Sequence, residues 1–496
     1  MKKHLLSCLI LASFQVTTAH AQTLKEAIQL TLDENPEVQE SRSARSVYEQ
    51  QIDQATAAYL PSLDISSGYG FDQANTPSTR NARGSNVKQY GRFESSAKFR
   101  QLIFDGFGTP YEIDRFTAKT NAQAYTVFGK SEMIGLQGVQ FYIGVLKAQA
   151  NLDLAQKNLD MHKGFYEQIK LRTAQGVGRQ SDLDQATGRL ANAESNVKSE
   201  EGNYRDAEST FNRLIGILPK DLSDAPVPDS SKGEIPDSMD KAIELALSGH
   251  PLLKAADFDV DEAAAQHDVA KAPFYPLVTL EAGYDNNHNI AGVQGLNEEL
   301  IAMMRVKYNL LSGGKDMARL SETAYAMTQA KNVRDTTYRQ IIESIRLSWV
   351  AYQTLNRQMD FFKSHRDSTY KTLEAYKKQF NIGQRTLLDL LDTTNEAYQA
   401  DLSYVDAKYN ELAARYRILA GMGKLNEYLG TTIPEESRPL PGAELRERPK
   451  AEDTKTEVSK AEEPKKAESK SEPSTEPKAE SKVEPVESKT TEPASK

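Results

Sequence analysis

AAYLPSLDISSGYG, residues 57–70, and APFYPLVTLEAGYD, residues 272–285, are the stretches on which the fold turns. In the first, Leu63, Ile65, Tyr69 and Phe71 alternate with Asp64, Ser66, Gly68 and Asp72; in the second, Val278, Leu280, Ala282 and Tyr284 alternate with Thr279, Glu281 and Asp285. Period two with apolar residues on one side is the signature of a strand with one apolar face. A second run follows each. Phe93, Ala97, Phe99 and Ile103 alternate with Arg92, Glu94, Lys98 and Arg100, and Leu300, Ala302, Met304, Val306 and Tyr308 alternate with Arg305, Lys307 and Asn309. Strands are therefore expected near 62–72, 92–104, 277–286 and 300–311, with the Gly-, Asn- and Ser-rich stretches 73–90 and 287–299 as surface loops. An ordinary half-buried sheet would alternate in the same way. Four strands standing among long helices, with a thin apolar face and no core to cover it, favour a different use.

The two stretches belong to a duplication. TLKEAIQLTLDENPEV at 23–38 matches SMDKAIELALSGHPLL at 238–253, and both this pair and the strand pair lie 215 residues apart. Further on, GRQSDLD at 178–184 matches GQRTLLD at 383–389 and Gly216 falls on Gly421, an offset of 205. Each copy reads helix, strand, loop, strand, very long helix, turn, helix, with the first repeat at 22–225 and the second at 226–430.

No proline interrupts 111–173 or 315–380, so each run can be one helix of roughly 95 to 100 Å at ~1.5 Å per residue. A compact globular domain has no use for such a rod. After the second turn, Tyr398, Leu402, Val405, Tyr409, Leu412, Tyr416 and Leu419 recur at the 4–3 spacing of a coiled-coil seam. Subtracting 205 gives Ala193, Val197, Glu200, Tyr204, Ala207, Phe211 and Leu214, the same seam with one polar interruption.

Lys2 and Lys3, the apolar stretch 5–14 and Ala19-His20-Ala21 read as a signal peptide, 1–21, so the mature chain is expected to leave the cytoplasm. Cys8, the one cysteine, lies inside it, which leaves no disulfide framework and no cysteine metal site. A net charge of -9 with no basic stripe speaks against nucleic-acid binding. Mean hydropathy is -0.61, and no apolar run approaches the roughly 18 residues of a spanning helix; a β-barrel is untouched by that test. Scattered histidines and the lack of HExxH, GxSxG or a phosphate loop give a catalytic site or a cofactor no support. The region 431–496 is read as a low-complexity tail, expected to be disordered: from 443 on it has no aromatic residue, and 14 acidic and 12 basic side chains nearly balance.

Four strands cannot close a barrel, and an open edge in hydrocarbon leaves backbone groups unpaired at several kcal/mol each. Association follows from that. Three chains would close a twelve-stranded barrel with a water-filled lumen, charged faces inside and apolar faces toward lipid. The order helix, strand pair, long hairpin, twice over to about residue 429, together with Asn35-Pro36, His250-Pro251, Tyr59-Leu60-Pro61, Phe274-Tyr275-Pro276, LIFDGFG at 102–108 and NLLSGG at 309–314, resembles the TolC family of outer-membrane efflux and secretion channels. The resemblance implies a membrane β-barrel plus a long α-helical coiled-coil barrel, built by a homotrimer of this internally duplicated protomer. It also implies a cell outer membrane location with the tunnel and tail in the periplasm, a periplasmic adaptor protein and an inner-membrane pump as partners, and no enzyme activity. GVGRQSDLDQATGRLANAES at 176–195 and RLIGILPKDL at 213–222 look like the branch serving type I secretion, including export of large adhesins through an ABC transporter. The alternative is a multidrug or small-molecule efflux duct with a proton-driven pump. A soluble coiled-coil scaffold would leave the signal and the alternating strands without a role.

The hairpin tips, near 176–181 and 382–386, are where such a tunnel narrows. Ser181 with Asp184, and Thr386 with Asp389, each offer a hydroxyl and a carboxylate three residues on, the pattern of a helix N-cap. Asp392 lies beyond the first turn and capping does not explain it. Asp389 and Asp392 share a helix face, and the resemblance implies that three chains gather them into an acidic ring that favours cations and resists anions. It further implies that Arg385 is the gate arginine, Asp182 the tip aspartate and Ser181 its neighbouring hydroxyl. Phe380 stands where better-known members have a tyrosine, and it cannot make that residue's closing hydrogen bond. Adaptor hairpins would dock at Gly176, Val177, Gly178, Ile382 and Gly383 and untwist the inner helix pair.

Overall fold

The computed structural model describes residues 22–75 and 88–445; the expected signal peptide, most of the expected first strand loop and the chain beyond 445 lie outside the described residues. The elements are α1 (Leu24–Glu34), α2 (Pro36–Ala57), β1 (Ser62–Ala74), β2 (Lys88–Phe104), α3 (Gly108–Ala174) and α4 (Gln180–Ile215), then α5 (Met239–Gly249), α6 (Pro251–Val269), β3 (Leu277–His288), β4 (Leu296–Lys307), α7 (Lys315–Asn381), α8 (Leu387–Gly421) and the short α9 (Leu425–Leu429). Asn35 ends α1 and caps α2, its side chain accepting from Glu37 N at 2.9 Å, and His250 Nδ1 accepts from Leu252 N at 3.2 Å in the second copy. Proline follows each cap at the first helical position, where it has no N–H to leave unpaired.

The four strands form one antiparallel sheet in the order β1-β2-β3-β4, so the β2–β3 pairing joins the two repeats. Cross-strand partners share a face, and the registers carry the alternation across the sheet. Leu63 pairs Phe99, Phe99 pairs Ala282 and Ala282 pairs Ala302; one row further, Ile65, Ala97, Tyr284 and Leu300 line up. The opposite face takes Asp64, Lys98, Arg100, Glu281 and Arg305, with Arg305 Nε 2.8 Å from Glu281 Oε2. The apolar face is bare: Ile65, Tyr69, Phe71 and Leu300 are each exposed to 78% or more. The hairpins run further than the composition suggests. Gln73 pairs Gln89, Asp72 pairs Tyr90 and Asn287 pairs Asn297, so residues 73, 74, 88–90, 287, 288 and 296–299, expected in loops, are strand. Polar side chains occupy these strand ends, and the backbone ladder continues regardless of side-chain polarity.

α3 and α7 are each 67 residues long, about 100 Å at ~1.5 Å per residue. At the strand-to-helix corner, Asp105 Oδ2 accepts from both Thr109 N and Thr109 Oγ1 at 2.6 Å. Gly106 there has φ +72, and a Cβ would sit 2.5 Å from the Ala272 carbonyl oxygen. Midway along the rods, α1, α5 and α9 wrap the hairpins around a core that includes Leu24, Ile28, Tyr142, Phe211, Trp349 and Tyr416. The heptad residues Ala193, Val197, Phe211 and Leu214 are buried, as are Tyr398, Tyr409, Leu412, Tyr416 and Leu419.

Residues 435–440, read from composition as part of the tail, are packed against α2 and α3. Arg42 donates to both carboxylate oxygens of Glu436 at 2.9 and 3.0 Å, Ser437 is buried, and Leu440 N donates to Asn121 Oδ1 at 2.9 Å. The segment is held by hydrogen bonds and charge rather than by apolar burial, so composition alone does not reveal it.

Candidate functional site at the hairpin tips

Each long hairpin turns through five residues, 175–179 between α3 and α4 and 382–386 between α7 and α8. Gly176 and Gly383 take the left-handed conformation at φ +75 and +76. Val177 N donates to Arg172 O at 3.0 Å and Gln384 N to Gln379 O at 2.8 Å, the backbone pattern that closes a helix end around a left-handed residue. Val177 and Ile382 stand out at the apices, 81% and 69% exposed.

Thr386 caps α8 as expected: its hydroxyl accepts from Asp389 N at 3.2 Å and the carboxylate of Asp389 reaches back to Thr386 N. Ser181 does not cap α4. That helix begins at Gln180 behind Arg179, which has no side-chain acceptor, and Ser181 lies inside the first turn. The reason is a change of register. α3 and α7 start at 108 and 315 and end at 174 and 381, and α4 and α8 start at 180 and 387, all 207 apart. The buried faces of α4 and α8 keep the 205 offset, as Ala193 with Tyr398 and Phe211 with Tyr416 show. α4 therefore gains two residues ahead of its buried face, and aligning sequence through the turn at 205 misplaces the cap. Likewise the left-handed glycine matching Gly216 is Gly423 rather than Gly421.

Asp389 is held well below the usual carboxylate range by the Thr386 hydroxyl and amide, with Arg385 3.7 Å away adding to the effect. The Arg385 guanidinium also donates to Gln379 Oε1 at 3.0 Å and lies 4.2 Å over the Tyr376 ring. Asp392 meets Arg189 of α4, with Nη2 2.7 Å from Oδ1. So the two carboxylates three residues apart on α8 answer to different arginines. Asp182 is half-buried and takes no side-chain partner from the described residues, and Ser181 is exposed. Phe380 is buried among Ile169, Ala186, Leu373 and Leu387, with the Arg172 guanidinium 5.0 Å over its ring. That contact joins α3 to α7. Gln168 adds a hydrogen bond to Asn381 at 3.1 Å. Sequence reasoning missed Arg172, Gln168 and Arg189: the first two lie in no motif, Arg189 stands inside the 176–195 stretch without being singled out, and their partners are some 200 residues away. Among the described residues no group of three or more His, Asp or Glu could hold a metal ion, and no helix is long and apolar enough to cross a membrane.

Comparison with known proteins identifies the family and the fold. A profile of the Outer membrane efflux protein family matches residues 27–217 and 242–424. The outer membrane efflux protein BepC of Brucella suis is 23% identical over 444 residues, covering 88% of this chain and 94% of the relative. The alkaline protease secretion protein AprF of Pseudomonas aeruginosa is 24% identical over 428 residues, covering 82% and 86%. Among solved structures, the Campylobacter jejuni CmeC outer membrane channel superposes with a TM-score of 0.71 at 17% identity, covering 84% of this chain and 89% of that one.

Proposed function

We propose, from the premise that the chain belongs to the outer membrane efflux protein family, that it is the outer-membrane duct of an export system whose cargo is a secreted protein. The observation that carries the duct is the sheet: an apolar face continuous over four strands, with β1 and β4 each unpaired along one side among the described residues. Three copies pair β4 of one with β1 of the next, and the ring has no edge left in lipid. Asp64, Lys98, Glu281 and Arg305 then line a water-filled bore, and the rods prolong its wall through the periplasm. Cargo passes without being chemically changed.

Secretion is supported by two relatives named for protease secretion, AprF and PrtF of Dickeya chrysanthemi, whereas BepC is named for efflux. The type I arrangement adds a periplasmic adaptor and an ABC transporter, and a large adhesin is the cargo class proposed. The tips serve as gate and dock. Asp182, Ser181, Phe380, Arg385, Asp389 and Asp392 form the constriction, and the bare Val177 and Ile382, turned by Gly176, Gly178 and Gly383, meet the adaptor.

Purified protein in mild detergent is expected to have three times the chain mass; a monodisperse monomer with its β content intact would overturn the duct. Replacing Arg385→Ser removes the contacts to Gln379, Asp389 and Tyr376 and is expected to raise single-channel conductance in planar bilayers. Conductance equal to that of the parent counts against the gate. Deleting the gene is expected to strip adhesin from the cell surface while leaving antibiotic sensitivity unchanged; the reverse pattern selects the efflux duct.

A further inference from the structure

Arg189 is the residue of the tip that neither the helix-cap pattern nor the gate reading accounts for. It projects from the third turn of α4, in the first hairpin, and its partner Asp392 is on α8, in the second. Both helices pack on α3, and their apolar side chains meet over it: Ala193 and Val197 of α4 join Ala155 and Leu159 of α3 and Tyr398 of α8 in one cluster. The guanidinium of Arg189 spans that seam to reach the carboxylate. Ion pairs join the two hairpins at two levels, Lys147 with Asp406 at 2.9 Å near the central core and Arg189 with Asp392 at 2.7 Å near the tip. Among the described residues of the tip, the other contacts between hairpins are not ion pairs: they include Gln168 with Asn381, Lys377 beside Phe165 and Met161, and Arg172 over Phe380.

We infer that Arg189 and Asp392 are the latch of the closed tip, a charge pair that fastens the second hairpin to the first and does the work left undone by Phe380. The inference rests on the reading of the tips as a gate. Any movement of α8 away from α3 and α4 must break this pair, whereas the contacts of Arg385 with Gln379, Tyr376 and Asp389 stay inside the second hairpin and can travel with it. The pair also sets the charge of the mouth. With Arg189 on Asp392 and Arg385 beside Asp389, neither carboxylate of α8 stands alone, and between residues 371 and 392 four basic side chains face three acidic ones. The same ratio holds between 167 and 189. The closed constriction is accordingly close to charge-balanced, and it becomes acidic when the latch opens and Asp392 is released.

Full-length trimer in planar bilayers tests this with Arg189→Gln, Asp392→Asn, the charge exchange Arg189→Asp with Asp392→Arg, and Arg385→Ser as the reference for the gate. Arg189→Gln and Asp392→Asn are each expected to raise conductance several-fold, and the charge exchange to return it toward the parent value. Under a KCl gradient the reversal potential of Arg189→Gln is expected to shift toward cation selectivity and that of Asp392→Asn toward anion selectivity, a readout that loosened packing alone would not move in opposite directions. If Arg385→Ser opens the channel while Arg189→Gln and Asp392→Asn match the parent in both readouts, the gate stands and the latch is overturned. If none of the four changes either readout, the gate reading falls and takes the latch with it. Should Arg189→Gln fail to assemble, Asp392→Asn and the charge exchange decide the question from the other partner.

Discussion

The two copies solve one problem with different residues at the start of their second helix. Asn35 caps α2 with an amide oxygen that never titrates, while His250 caps α6 through Nδ1, which accepts from Leu252 N and must stay unprotonated to do so. Burial pulls this imidazole down from 6.5 to about 4. Its contribution to stability is therefore fully present above pH 6.5 and is lost as pH falls toward 4, up to about 3 kcal/mol. His250→Asn, copying the first repeat, is expected to keep the cap and remove that slope, measured as thermal unfolding of the trimer from pH 7 to pH 4.5. Glu132 has the opposite sign. Its buried carboxylate accepts from Leu425 N and Asn426 N at 2.9 and 3.0 Å and fastens α9 to α3, and burial pushes it up to about 7. The protonated form is the cheaper one in the folded protein, so this contribution is complete below pH 4.5 and is lost as pH rises through 7. Glu132→Gln is expected to flatten the unfolding temperature between pH 5 and 8 while lowering it overall, because one of the two amides loses its acceptor, at roughly 1–3 kcal/mol. A slope identical to the parent's would refute the assignment to Glu132.

Among the elements, the corners matter more than the rods. A helix of 67 residues needs only an unbroken run without proline, but the turn into α3 favours glycine at 106, where φ is +72 and the Ala272 carbonyl is close. Gly106→Ala would combine a left-handed φ with a contact to the Ala272 backbone and is expected to cost about 2 kcal/mol or more, seen as a reduced yield of folded trimer. Yield equal to the parent's would mean the corner can shift without penalty. The strands, the rods and the coiled-coil seams are legible because each is written in a local period of 2, 3.5 or 3.6, which survives whatever the chain later packs against. The strand ends escape such a reading because polar residues in a ladder look like those of a loop. Ser181 escapes it because the start of α4 depends on where a left-handed glycine puts the backbone, two residues out of step with the buried face. The partners at the tip are beyond its reach altogether: Arg189 and Asp392 lie 203 residues apart, and no local pattern connects them.

For the molecule as a whole, the sheet decides where it resides. Ile65, 78% exposed in one chain, sits in the row Ile65, Ala97, Tyr284, Leu300 that faces lipid in the proposed ring. Ile65→Lys is expected to cost roughly 2–4 kcal/mol if that row lies near the bilayer midplane, and to lower the amount of trimer extracted from outer membranes. A lysine at Ser66, on the other face, should be tolerated; equal loss at both positions would argue that the faces are assigned the wrong way round. The open flanks of β1 and β4 carry one more implication, for the time before assembly. A lone copy in transit across the periplasm offers two sticky borders and a greasy panel to any neighbour, so misjoined clumps compete with correct rings from the moment of synthesis. The yield of rings is therefore expected to fall as expression rises, measured as the ratio of trimer to aggregate.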